Sequence, residues 1–376
     1  MADTQLSQKS IHLLSPWLQQ QLSTLLSRRG HAWLLQGPSG LGQYNLALEL
    51  ARAWLCENTT VAGACYQCAS CHSVDVRTHP DLCVLMPETV ALELDWPLDE
   101  KSQKEIDDKK RKPSKEIRVD AVREMINFTQ HTRSGGHTKV VLVYPAERMN
   151  HVTANAILKT LEEPPGECRF VLASEAAHIL LPTIRSRCQT HTMVWPEEQQ
   201  ALEWLVSQGL AAADAKATLR AAGGRPEDAL DLANDGLKAA QWSSFPLMVS
   251  RGQLSALADL TPAQAIDRLQ KLCHDMLAVH TGAMPRFFEV ADLQAVLGNA
   301  KGSFGSKDAS VVKDAFVAKD ALVAKGTPSN NTSSVAMYSL TQWAKDLMEA
   351  ARTAQHTYNP GLMLEALMAQ AQQALR

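Results

Sequence analysis

The sequence has no excess of either charge sign. Its 37 Lys and Arg stand against 40 Asp and Glu, a formal charge of −3. Domains that bind nucleic acid unaided are usually strongly basic, so the balance argues against a lone nucleic-acid binder. DNA contact would have to come from a local patch or from assembly with more basic partners. Long apolar runs are also absent, and none approaches the roughly 20 residues needed to cross a bilayer. The amino terminus MADTQLSQKSIHLLSPWL lacks the basic start and apolar run of a signal peptide. The chain therefore reads as cytoplasmic, with no membrane partner. Its 376 residues are enough for two or three domains.

What the sequence does have is a crowd of cysteines. Of eight in all, Cys56, Cys65, Cys68 and Cys71 fall in the pattern C-x8-C-x2-C-x2-C. In a reducing compartment such crowding favours a metal over disulfides. Each x2 spacing forms a tight knuckle that points two thiolates at one ion. Four thiolates complete the closed tetrahedron of a structural zinc site, with no open position for water. His72 and His79 are not needed as ligands. The remaining cysteines, Cys83, Cys168, Cys188 and Cys273, read as small buried hydrophobes.

A second motif is incomplete. Gly37-Pro38-Ser39-Gly40-Leu41-Gly42-Gln43-Tyr44 follows the phosphate-loop pattern G-x-x-x-x-G-K-[ST] up to its last two residues. Gln43 stands where a lysine would neutralise the β- and γ-phosphates, and Tyr44 where a small hydroxyl would ligate Mg²⁺. The setting is right for such a loop. His31–Gln36 is a short apolar run of strand type, and Asn45–Cys56 repeats apolar residues at helical spacing. A further apolar strand, Lys139–Tyr144, ends in Tyr144-Pro145 where an acidic pair should hold Mg²⁺. Glu147 lies beyond the strand end and reads as a solvated helix-start acid. Cation, hydroxyl and carboxylates are missing together, so no ATP or Mg²⁺ is expected in this chain.

The rest of the chain gives its layout. Cys168–Ser174 is a third strand. Thr153–Glu163 is helical and is stopped by Pro164-Pro165. Alternating strands and helices imply a parallel α/β sheet covered on both faces. After Trp195-Pro196 the strand signal fades. Residues 197–240 are rich in Ala, Leu and Glu and are broken at Gly223-Gly224 and Pro226. From about 243 onward the pattern is helical again, closing with Leu362–Leu375. Two stretches read as exposed or flexible insertions. Residues 95–118 are dense in mixed charge and include Lys109-Lys110-Arg111-Lys112, a run that reads as a solvated loop. Residues 297–334 carry Lys-Asp-Ala at 307, 313 and 319.

Taken on residues alone, Arg187 in Ser186-Arg187-Cys188 reads as a surface or salt-bridge arginine. Its company changes that reading. HAWLLQGPSGLGQ, the cysteine pattern, THPD at 78–81, VDAVRE at 119–124, ANAILKTLEEPP at 154–165 and IRSRC at 184–188 resemble bacterial clamp-loader subunits, well over 1–240 and more loosely beyond. The defects single out a catalytically degenerate member. The resemblance implies an AAA+ type α/β domain over 1–195 with a zinc-binding insertion at 56–71. It further implies a small helical lid over 196–242 and an all-α collar over 243–376. It implies a hetero-pentameric ring with gamma/tau motor subunits and a delta subunit, loading a sliding clamp on primed DNA as an accessory of a replicative polymerase. It gives Arg187 the role of an arginine finger reaching a neighbour's ATP. Ser174 and Arg225 match sensor positions left idle by the degenerate loop. Two alternatives stay open at this level: a motor subunit with its own ATPase, and a zinc-dependent nucleic-acid-binding module acting alone.

Overall fold

The computed structural model describes residues 14–133, 138–297, 330–353 and 359–375. The Lys-Asp-Ala repeat, with most of the 297–334 segment, lies outside them. The described chain falls into two compact units. One runs up to Trp204 and includes Arg225–Asp228. The other is Leu205–Gly224 with the chain from Ala229 onward.

The first unit is built on a five-stranded sheet. Its strands are β1 (Ala32–Gln36), β2 (Leu82–Leu85), β3 (Lys139–Val143), β4 (Cys168–Ser174) and β5 (Gln189–Thr192), in the order β2-β3-β4-β1-β5. Every pairing is parallel. The three central strands are near-continuous apolar runs, as a sheet covered on both faces requires, and Leu34, Val141, Phe170 and Leu172 are fully buried. The helices of this unit are α1 (Pro16–Leu26), α2 (Gln43–Leu55), α3 (Ala69–Asp75), α4 (Glu88–Glu93), α5 (Glu100–Asp107), α6 (Val119–Gln130), α7 (His151–Glu162) and α8 (Pro182–Arg185). Trp33, Leu35, Leu46 and Leu50 pack with α1 and α2 on one face, while Leu34, Phe170, Ile157 and Val122 pack with α6 and α7 on the other. Because all strands run the same way, the loops after β1, β3 and β4 open at one edge, where parallel sheets place their ligand crevices.

The 95–118 stretch is more ordered than its composition suggested. Asp99 caps α5 by accepting a hydrogen bond from Ser102 N at 2.9 Å. Arg111, out of the basic run, turns inward and ties Glu88 to Glu105. Glu88 also accepts from Ser114 N at 2.8 Å. Mixed charge here is not solvation alone: the cations satisfy a buried carboxylate, and Lys110 pairs with Asp108 at 2.8 Å.

The chain continues through α9 (Glu198–Ser207), α10 (Ala212–Ala221), α11 (Pro226–Asn234), α12 (Ala239–Ser250), α13 (Pro262–His280), α14 (Val290–Leu297), α15 (Asn330–Thr353) and α16 (Pro360–Ala374). In the second unit Trp242 stacks on Phe288 at 4.5 Å between ring centres, beside Leu269, Leu272, Trp343 and Leu347. The fully buried Asp275 carboxylate accepts from the backbone N–H groups of Arg286, Phe287 and Phe288 at 2.9, 2.7 and 2.8 Å. A buried charge is tolerated only with such partners.

Candidate functional site

β1 ends at Gln36 and α2 begins at Gln43, so the glycine loop spans 37–42. Gly40 and Gly42 take φ of 75° and 84°, left-handed values that cost glycine little. Gly37 N donates to Ser174 O at 3.2 Å, which pins the loop to the end of β4. The loop therefore makes a tight turn between β1 and α2 that is tied to β4.

The side chains around the loop are engaged within the chain itself. Gln43 is 2% exposed, and its amide nitrogen donates to the carbonyls of Gly37 and Pro38 at 2.9 and 2.6 Å. The side chain in the lysine position is spent on its own loop. Over the loop lie two carboxylates. A Cβ built on Gly40 would fall 2.3 Å from Oδ1 of Asp228, and one on Gly42 would fall 2.5 Å from Oε1 of Glu227. Glu227 also accepts from Asn45 Nδ2 at 2.8 Å. Arg225, which the resemblance matches to a sensor position, donates its Nε to Asp228.

Tyr44, in the first turn of α2, and Tyr144, just past the end of β3, pack together. Their rings lie 5.2 Å apart, tilted by 37°. The Tyr44 hydroxyl accepts from Trp96 Nε1 at 2.6 Å, and the Tyr144 hydroxyl donates to Glu175 Oε1 at 2.8 Å. Burial pushes both phenols up, and the charge of Glu175 adds to the effect at Tyr144. Pro145 follows and is buried. Glu147 is not the solvated acid its sequence position suggested. Its Oε1 accepts from Glu175 N at 3.1 Å, and its Oε2 is enclosed with no hydrogen-bond partner among the described residues. Burial also raises the Glu175 carboxyl, against the Tyr144 hydrogen bond, and the charges of Glu147 and Asp228 push the same way. Ser174 is fully buried, and its Oγ accepts from Ala176 N at 3.3 Å. Glu147, Glu175, Glu227 and Asp228 thus gather around Tyr144 as an acidic cluster.

The four clustered cysteines do converge. Their sulfurs all lie within 4.8 Å of one another, with Cys56–Cys68 at 3.9 Å and Cys65–Cys71 at 4.0 Å. Zn–S bonds of about 2.3 Å in a tetrahedron place sulfurs about 3.8 Å apart, so the donor set fits that ion. Cys68 is the N-cap of α3, and its sulfur accepts from Cys71 N. The C-x2-C pair is thus the first turn of a helix. N–H groups of Gln67 and Cys68 hold the Cys65 thiol down to about 6, whereas burial pushes Cys56 and Cys71 up. The knuckle is bolted to α2. Buried Arg52 donates Nη1 to Cys71 O at 3.2 Å and pairs with Glu49 and Asp75. Tyr66 OH donates to Glu49 at 2.7 Å. His79 stays outside the cluster: its Nδ1 accepts from Asp81 N at 3.0 Å and its Nε2 meets Ser70 Oγ at 2.7 Å. Cys168, Cys188 and Cys273 are buried and Cys83 is partly so, their thiols raised to about 12 by burial.

Arg187 follows α8, and its side chain is 30% exposed. Its Nε donates to Glu162 Oε2 at 2.9 Å and its Nη1 to Thr183 O at 3.1 Å. Sequence reasoning reached Gln43, Tyr44, Tyr144 and the cysteines. It did not reach Trp96, Glu227 or Asp228, which carry no motif, and it gave Glu162 no role although that residue lies within the ANAILKTLEEPP signature; all four meet these residues only through the fold.

The family model described as DNA polymerase III, delta subunit, matches residues 14–195. DNA polymerase III subunit delta' of Pseudomonas aeruginosa is 40% identical over 192 residues, 50% of this chain and 52% of that protein. The chain thus spans about half the length of that relative. Subunit delta' of Escherichia coli K12 is 35% identical over 285 residues, 71% of this chain and 77% of that one. Subunit tau of Escherichia coli K12 is 30% identical over 218 residues, 56% of this chain and 30% of that one. Among solved structures, a gamma subunit-related protein of DNA polymerase III from Thermotoga maritima covers 96% of this chain and 100% of its own at 17% identity and a TM-score of 0.40. The fold class rests on the sheet itself rather than on that likeness. On the strength of these delta' relatives, the chain belongs to the DNA polymerase III delta' family of clamp-loader subunits.

Proposed function

We propose that this chain is a non-motor subunit of a clamp-loader ring, an accessory of the polymerase with no ATPase of its own, that supplies Arg187 in trans to a neighbour's ATP. The observation that carries this reading is the Tyr44–Tyr144 ring pair. Two packed phenols fill the place where a nucleotide hydrolase keeps a small hydroxyl and an acidic residue for Mg²⁺. The carboxylates over Gly40 and Gly42 work in the same direction, because a triphosphate approaching them meets like charge in a partly buried crevice. A subunit that cannot carry fuel can still contribute a charge. In phosphoryl transfer an arginine from outside the site neutralises charge growing on the γ-phosphoryl oxygens, worth roughly 10³ to 10⁵ in rate.

In this reading the partners are gamma/tau motor subunits and a delta subunit in a hetero-pentameric ring in the cytoplasm. Sliding clamp and primed DNA are met through the assembled complex. Residues 1–195, 196–242 and 243–376 serve as AAA+ domain, lid and collar. Cys56, Cys65, Cys68 and Cys71 hold one structural zinc ion, which fixes the knuckle on α2 and takes no part in chemistry. Ser174 and Arg225 sense no nucleotide.

The test is a ring reconstituted with Arg187→Ala. Assembly and melting should be unchanged, and ATP turnover at the site it serves should fall about 10³-fold or more. A wild-type rate would remove the trans role.

A further inference from the structure

Arg187 is engaged at all three nitrogens by its own chain. Nε and Nη2 lie 2.9 and 2.8 Å from the same oxygen, Oε2 of Glu162, and Nη1 lies 3.1 Å from the carbonyl of Thr183. A guanidinium is planar, with five N–H bonds in fixed directions. One whole edge, Nε with Nη2, belongs to Glu162, and one Nη1 hydrogen goes to Thr183. What is left is one N–H on each terminal nitrogen, on a side chain that is 30% exposed.

Neither helix physics nor stability explains why a carboxylate sits there. Glu162 is the last residue of α7, and an acid in the last turn opposes the helix dipole. Its side chain is 58% exposed, and ion pairs so open to solvent contribute little to folding. The geometry has a different consequence. A free arginine samples many rotamers, and every one it loses on docking weakens the contact. Here that freedom is removed in advance by two anchors on separate elements, Glu162 on α7 and Thr183 in α8.

We infer that Glu162 is a positioning residue: with the Thr183 carbonyl it pre-aims Arg187, leaving two N–H groups for phosphoryl oxygens of a nucleoside triphosphate held by another subunit. This rests on the trans reading of Arg187 given above.

The test compares reconstituted rings carrying wild type, Arg187→Ala, Glu162→Gln, Glu162→Asp and Glu162→Gln/Arg187→Ala, by steady-state ATPase. Glu162→Gln should lower kcat on the order of 10- to 10²-fold, the scale of a misplaced catalytic contact. KM for ATP, ring assembly and melting temperature should stay as in wild type. Glu162→Asp, which keeps the charge on a shorter arm, should recover part of the loss. The double variant should be no slower than Arg187→Ala, because Glu162 acts only through Arg187. If Arg187→Ala is slow while Glu162→Gln matches or exceeds wild type, positioning is refuted and the trans role stands. If Arg187→Ala itself turns over normally, the trans role falls and takes this inference with it. Losses that multiply in the double variant would give Glu162 a separate task and overturn the inference.

Discussion

Replacing Tyr44 by Thr makes the glycine loop look more like a working phosphate loop, yet it should damage the protein. The ring is 9% exposed and packs against Tyr144, and its hydroxyl accepts the Trp96 indole N–H. Truncating a buried aromatic costs about 3–5 kcal/mol. Threonine keeps two of the side-chain atoms, which places this change near the lower end. The stranded indole N–H adds about 1 kcal/mol, for a total of about 4 kcal/mol. In a unit of this size that lowers the melting temperature by about 8–16 °C. Tyr44→Phe keeps the ring and strands only Trp96, so it should cost about 1 kcal/mol. Urea denaturation followed by circular dichroism, with thermal melts alongside, reads both variants. A Tyr44→Thr protein that melts within about 2 °C of wild type would refute the claim that this position is core.

Two further predictions concern the cysteine knuckle and the buried Glu88 carboxylate. Cys68→Ser should remove most of the zinc found by metal analysis of the purified chain; serine still caps α3, so the loss reads on the metal, and a metal-free wild-type protein would end the zinc reading. Glu88 is buried, which alone would raise its carboxyl, but Arg111, the Ser114 N–H and Arg118 outweigh that and hold it at about 2 against an ordinary 4.5. A depressed carboxylate adds stability above its unfolded value and loses it as pH falls. Wild type should therefore weaken between pH 4.5 and about 2, and Glu88→Gln should be less stable at neutral pH with a flatter acid profile; parallel profiles would contradict this.

The parts of the fold that follow from local pattern were legible in the sequence. Strands β1, β3 and β4 are apolar runs between turn signals, and α7 ends at its proline pair. Strand β5 was not legible, because Gln189–Thr192 is a polar edge with only His191 buried. β2 is only four residues long and partly exposed. The same division holds at the site. Gln43 and Tyr44 stand out as wrong letters in a known pattern, and the cysteine spacing fixes a knuckle by chain geometry alone. Glu227 and Asp228 lie more than 180 residues from the loop they cover, and Glu162 meets Arg187 only because α7 and α8 pack together. No spacing rule reports contacts that the sheet topology creates. The 95–118 stretch shows the converse: composition suggested solvation, and one arginine facing a buried acid gave it an anchor.

The claim on which everything else depends is that this chain fills its own phosphate loop with side chains. Titration calorimetry of the isolated, metal-replete protein with Mg-ATP measures it most directly. The account predicts no saturable binding up to millimolar nucleotide, whereas a stoichiometric isotherm with a micromolar Kd, worth about −8 kcal/mol, would contradict it.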